Sequence, residues 1–169
     1  MNATSEWNFT RKTILGGFVA TAALAVLGVT ALATAGGGFT ATPPSRGTLA
    51  AHAKVHADGI RFQTKDPVDV VSGQVITYSP GGFSGWHTHP GFVLAVVKSG
   101  AITVTVGCTS HTYGAGQSFY ESGTVPIMAR NNGTVDAVVL ATYVVPLGSP
   151  TRLDVANPPT CDHESSATE

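Results

Sequence analysis

Two histidines separated by one residue, His87 and His89, are the side chains of this sequence best placed to do chemistry. They lie in Gly81-Gly82-Phe83-Ser84-Gly85-Trp86-His87-Thr88-His89-Pro90-Gly91. On an extended chain, residues i and i+2 face the same way, so both imidazoles turn to one side. Neutral imidazole is a good ligand for divalent transition metals, and two from one face form part of a shell for Zn, Mn, Fe, Cu or Ni. Catalytic sites usually hold such an ion with three protein groups and keep one position open. Glu121 is the candidate third ligand, because on a strand it shares a face with Phe119 and Gln117. Its alternative reading is a solvated strand-end carboxylate. His111 falls in the connection from Cys108 to Tyr113 and is expected at a rim. Tyr120 would face opposite Glu121, and Trp86 and Phe92 could wall the histidines with apolar surface. For the histidine pair itself the alternative is two hydrogen-bonded loop residues.

Positioning such residues requires rigid elements, and the sequence supplies short strands. Ile60 to Thr64, Val68 to Val71, Gln74 to Tyr78, Gly91 to Lys98, Ala101 to Val106, Gln117 to Glu121, Ile127 to Arg130 and Ala137 to Val145 are rich in Val, Ile, Thr, Phe and Tyr. Gly, Pro, Ser and Asn punctuate them. Lys98-Ser99-Gly100 and Asn131-Asn132-Gly133 are turn candidates, since Gly and Asn tolerate positive φ. No long amphipathic helical pattern intervenes and no internal repeat is present. The expectation is an all-β fold, a sandwich or small barrel built once. Residues 36–46 are Gly, Thr and Pro-rich and read as linker. Thr48 to Ala57 reads as a short helix or an extended arm; as a helix it would put His52 and His56 on one face.

Ahead of this region, Arg11 and Lys12 precede an uncharged apolar run from Ile14 to Ala35 that ends in small residues. Basic flank, apolar run and small-x-small end together make an export signal, an apolar helix over residues 1–35. It is either a cleaved signal peptide or an uncleaved membrane anchor, and its Gly and Thr content favours cleavage. In both cases the remainder is sent out of the cytoplasm, and membrane contact is confined to this segment. The two cysteines, Cys108 and Cys161, lie in the exported part, where an oxidising compartment lets them pair. Such a bridge would restrict the unfolded chain by about 4 kcal/mol on the entropic account. Net charge is -1 with 11% charged residues, which leaves no basic field for nucleic acid. Phosphate-binding Gly loops, CxxC pairs and nucleophile elbows are absent.

The HxH segment resembles the first motif of the cupin superfamily. In that motif a glycine precedes an HxH triplet, and a glutamate and then a turn-closing glycine follow it. Gly81, His87, His89 and Gly100 fall at the family spacing. Gly116 starts a counterpart of the second motif and Asn131 fits its final asparagine. The resemblance spans roughly residues 60 to 146 and implies a jelly-roll barrel, the double-stranded β-helix. Gly85-Trp86-His87-Thr88-His89-Pro90-Gly91, with the two cysteines, is also similar to a group of small exported cupins. The resemblance places a cupin barrel at residues 59–148, after a linker or arm at 36–58 and before a polar tail at 149–169. It implies a divalent metal, a small-molecule ligand or substrate and a possible homodimer, and it selects no single reaction. Two departures matter. Val93 stands at the position of the motif glutamate and Ile127 at that of the second-motif histidine, and neither can ligate. A non-catalytic module that binds a small molecule without a stable metal is therefore the competing expectation.

Overall fold

A computed structural model describes residues 35–156 and 159–161. The export segment and most of the distal tail lie outside the described residues. The rest is all-β. Along the chain the strands are β1 (Gly37–Ala41), β2 (Ser45–Leu49), β3 (Lys54–Ala57), β4 (Ile60–Gln63), β5 (Val68–Phe83), β6 (His87–Thr88) and β7 (Phe92–Ser99). There follow β8 (Ala101–Val106), β9 (Thr109–Gly114), β10 (Ser118–Ser122), β11 (Ile127–Arg130), β12 (Ala137–Pro146) and β13 (Leu153–Asp154). Eleven of these form one sheet ordered β10-β7-β12-β5-β11-β6-β13, in which β8 pairs β11 and β9. The strand β5 also carries β1 and β2, and β3 with β4 makes a separate hairpin. This large sheet curls into a nearly closed barrel.

Alternation decides what lies inside. In β7, Val93, Ala95 and Val97 are buried while Leu94 and Val96 are exposed. In β12, Ala137, Val139, Ala141, Tyr143 and Val145 are buried. Period-two patterning sends these sets to one face, where Ala95, Val97, Ala137 and Val139 pack with Ile102, Val104 and Phe119, and Val93, Ala141, Tyr143 and Val145 cluster with Val71.

The strand β5 is one element where the sequence predicts two. Gly73 has φ 80° and sits at a bulge. Ala141 pairs with Gln74 and Tyr143 with Val71, so one residue of β12 faces two of β5. A glycine that reads locally as a break thus bends a continuous strand. Gly100 turns β7 into β8 with φ 71°, and a Cβ there would lie 2.4 Å from the Asp136 carbonyl oxygen. Asn131 is fully buried: its amide donates to the carbonyls of Tyr78 and Val135, each at 2.8 Å, and its oxygen accepts the Gly133 N–H at 2.9 Å.

Several expectations are corrected. Residues 36–46 are not an unpaired linker, because β1 and β2 dock antiparallel on β5. Thr48 to Ala57 forms no helix; His52 is in a turn with φ 60° and His56 is on β3, both exposed, so they share no helical face. The connection holding His111 is strand β9, where that side chain is exposed and its ring lies 4.6 Å from Tyr113. Part of the expected tail returns as β13 and pairs with β6. Beyond it, Cys161 is disulfide-bonded to Cys108, with a Cα–Cα distance of 5.6 Å. No helix among the described residues is long and apolar enough to cross a membrane.

Candidate metal centre

His87 ends up inside because β6 is held on both sides, by Ile127 of β11 and by Asp154 of β13. His89 lies two residues on and faces the same interior. Glu121 enters from β10, inward with Phe119 and opposite Val93 of β7. All three are buried, at 5%, 4% and 8% exposure. Among the described residues they form the one His/Cys/Asp/Glu group able to hold a metal ion, with ligand atoms within 4.8 Å of one another. A closed tetrahedral shell needs separations of about 3.3 Å, given metal–ligand bonds near 2.0–2.1 Å. The side chains would therefore draw in modestly on binding.

The register explains how the carboxylate is kept. Val93 and Ile127 occupy the positions where the family motifs place a glutamate and a histidine, and both are core, each 2% exposed. Glu121 is the direct cross-strand partner of Val93. Directly opposed residues have Cβ atoms about 4.5–5.5 Å apart. A carboxylate can thus reach the same space from the neighbouring strand.

Backbone carbonyls orient both rings. His87 Nδ1 is 2.9 Å from the Gly85 carbonyl oxygen, and His89 Nδ1 is 2.6 Å from that of Thr151. A carbonyl only accepts, so each Nδ1 carries the proton and each Nε2 is left with its lone pair in the neutral ring. Metal-bound histidines are oriented in this way by an outer hydrogen bond. His89 Nε2 then meets Glu121 Oε2 at 3.0 Å. Two lone pairs cannot face each other at that distance in a buried site without a cation between them. Either a proton or a metal ion satisfies the contact.

Burial pushes the His87 pKa down to about 4, and the Arg152 guanidinium adds to the effect, while the Gly85 hydrogen bond and Glu121 oppose it. Burial likewise pushes the Tyr143 hydroxyl up to about 12, helped by Glu121, and that hydroxyl donates to Gln74 Oε1. The ordinary histidine value is 6.5, so between that pH and about 4 the unfolded chain binds more protons at His87 than the folded one does. The metal-free protein is therefore expected to lose stability as pH falls through this window, by at most about 3 kcal/mol. Denaturant titrations in chelator check this, and His87→Gln should flatten the slope.

The three side chains line a cavity of about 370 Å3. Ile76, Val93, Ala95, Ile102, Phe119 and Val139 make its apolar body, and Tyr143, Ser84 and Arg152 join the histidines at the polar end. Trp86 and Phe92 are half-buried and are not among the residues lining this cavity. Tyr120 is 74% exposed, on the face opposite Glu121. The residues that sequence reasoning missed are Thr151 and Arg152, which belong to the returning tail and carry no local motif.

Comparison with known proteins follows the same lines. Residues 74–143 match the family described as Cupin domain. Over these residues the chain is similar to a cupin domain. Solved structures similar to this chain include an uncharacterized conserved protein with a double-stranded beta-helix domain from Klebsiella pneumoniae. The two are 18% identical over 67% of this chain and 84% of that one, with a TM-score of 0.44. A conserved protein of unknown function from Streptococcus pyogenes is 16% identical over 63% and 76% of the two chains, TM-score 0.41. Oxalate oxidase in complex with the substrate analogue glycolate is 20% identical over 52% of this chain, TM-score 0.44, and the match spans 46% of the oxalate oxidase chain. No curated protein sequence matches this chain.

Proposed function

We propose that this protein is an exported cupin that binds one divalent transition metal through His87, His89 and Glu121 and presents it to a small molecule in the barrel. The observation that carries this reading is the His89–Glu121 contact, in which a ring nitrogen with its proton on the far side faces a buried carboxylate at 3.0 Å. Zn, Mn, Fe, Cu and Ni all accept imidazole, and the carboxylate suits the harder of them. A bound ion would act as a Lewis acid toward an oxygen of the ligand, and the apolar lining would exclude water from the rest. The Cys108–Cys161 bridge and the apolar N-terminal run support an extracytoplasmic location.

A metal-free binding module is the second reading. It is favoured by the apolar cavity and by the fact that a proton between His89 and Glu121 satisfies the same contact. Elemental analysis of natively purified protein, before and after metal loading, separates the two. The metal reading expects Zn, Mn, Fe, Cu or Ni in the wild type and its loss in His87→Ala. Absence of metal from both proteins, even after loading, leaves the binding module.

A further inference from the structure

We propose that the C-terminal segment is a redox-releasable wall of the metal centre, positioning His89 and slowing metal exchange while the Cys108–Cys161 disulfide is closed. This rests on the metal-binding reading above. After β12 the chain turns back and lies along residues 84–89, where its ties reach one site residue after another. The Thr151 carbonyl accepts the His89 Nδ1 proton at 2.6 Å. Arg152 donates to the Ser84 carbonyl at 3.0 Å, and the Val155 N–H donates to the Trp86 carbonyl at 3.0 Å. Leu153 and Asp154 pair with Thr88 and His87. The segment thus supplies His89's orienting partner and one side of the cavity, which Thr151, Arg152 and Asp154 line.

Its strand contact is short. Leu153 is 48% exposed, and the pairing partner β6 is only two residues long. What confines the segment covalently is the bridge from Cys161 to Cys108 in the turn between β8 and β9, and both cysteines are exposed. An exposed disulfide is open to thiolate attack. A dithiol reductant would open it, giving two cysteine thiols here and one disulfide in the reductant. His87 is oriented by Gly85, outside the segment, and keeps its partner when the segment leaves. His89 does not.

The test is release of Zn2+ from the full-length protein to an excess of colorimetric chelator. The disulfide-bonded wild type is compared with wild type reduced by a water-soluble phosphine, which becomes the phosphine oxide, and with Cys108→Ser/Cys161→Ser. Val155→Pro with the disulfide intact removes one tie without touching either cysteine and serves if the double variant fails to fold. Release is expected to be about 10- to 100-fold faster in the opened forms, the range for losing an outer partner of a ligating histidine. Val155→Pro should move in the same direction. Imidazole nitrogen NMR of the Zn2+-loaded protein should show the His89 Nδ1–H exchanging faster with water on reduction while the His87 Nδ1–H keeps its rate, a change that general loosening would not confine to one ring. Equal release rates in all forms, or an unchanged His89 exchange rate, would overturn the proposal and leave the metal reading intact. Failure of the disulfide-bonded wild type to bind Zn2+ would remove both.

Discussion

Glu121→Gln is expected to weaken Zn2+ binding by at least the 10- to 100-fold that loss of an outer-shell partner typically brings, roughly, since here a ligand itself is lost. The substitution is close to isosteric, and the amide nitrogen can donate to His89 Nε2, the atom now 3.0 Å from the carboxylate. The metal-free fold therefore keeps its contact and no longer needs a bridging proton. Affinity and stability should separate: metal binding falls while the chelator-treated protein unfolds at the same denaturant concentration or a higher one. His89→Ala should weaken binding similarly but also destabilise the metal-free protein, because it strands a buried carboxylate. Isothermal titration with Zn2+ and parallel denaturant curves measure both quantities. An unaltered affinity in Glu121→Gln would strike Glu121 from the shell.

Loss of the disulfide should produce the largest change in stability. Cys108 and Cys161 are 53 residues apart, and opening a loop of that size returns about 4 kcal/mol of conformational freedom to the unfolded chain on the entropic account. For a domain of this size the melting temperature is expected to fall by on the order of 10–20 °C. Cys108→Ser/Cys161→Ser followed by calorimetry without metal gives the number. A shift of only a degree or so would mean that the unfolded chain gains little freedom, or that the folded bridge is strained.

The legible parts of this fold are those whose side chains alternate against a core. The strands β7, β8 and β12 show that alternation, and Gly100 marks its turn by a backbone conformation other residues avoid. The convergence of His87 and His89 follows from strand geometry alone. By contrast, β1 and β2 are largely exposed, and beside backbone pairing to β5 they are held by Phe39 stacking on Tyr78 and by Arg46 and Thr48 bonding the buried Asp69, long-range contacts that local residue pattern does not reveal. The same holds for β13, so Thr151's part in orienting His89 is invisible in the sequence. Glu121 sits between these cases. Its inward face is legible from Phe119, but its meeting with His89 depends on the register of β10 against β7, which is long-range information. Tyr143, whose ring lies 5.8 Å from that of His89, is likewise brought there by the long-range register of β12 and not by proximity in sequence.

X-ray absorption at the metal edge of the Zn-loaded full-length protein tests most directly that these three side chains share one ion. The account predicts a first shell with two imidazole nitrogens and at least one carboxylate oxygen at about 2.0–2.2 Å, reduced to one imidazole in His87→Ala. A shell without imidazole scattering, or one identical in wild type and His87→Ala, would contradict it.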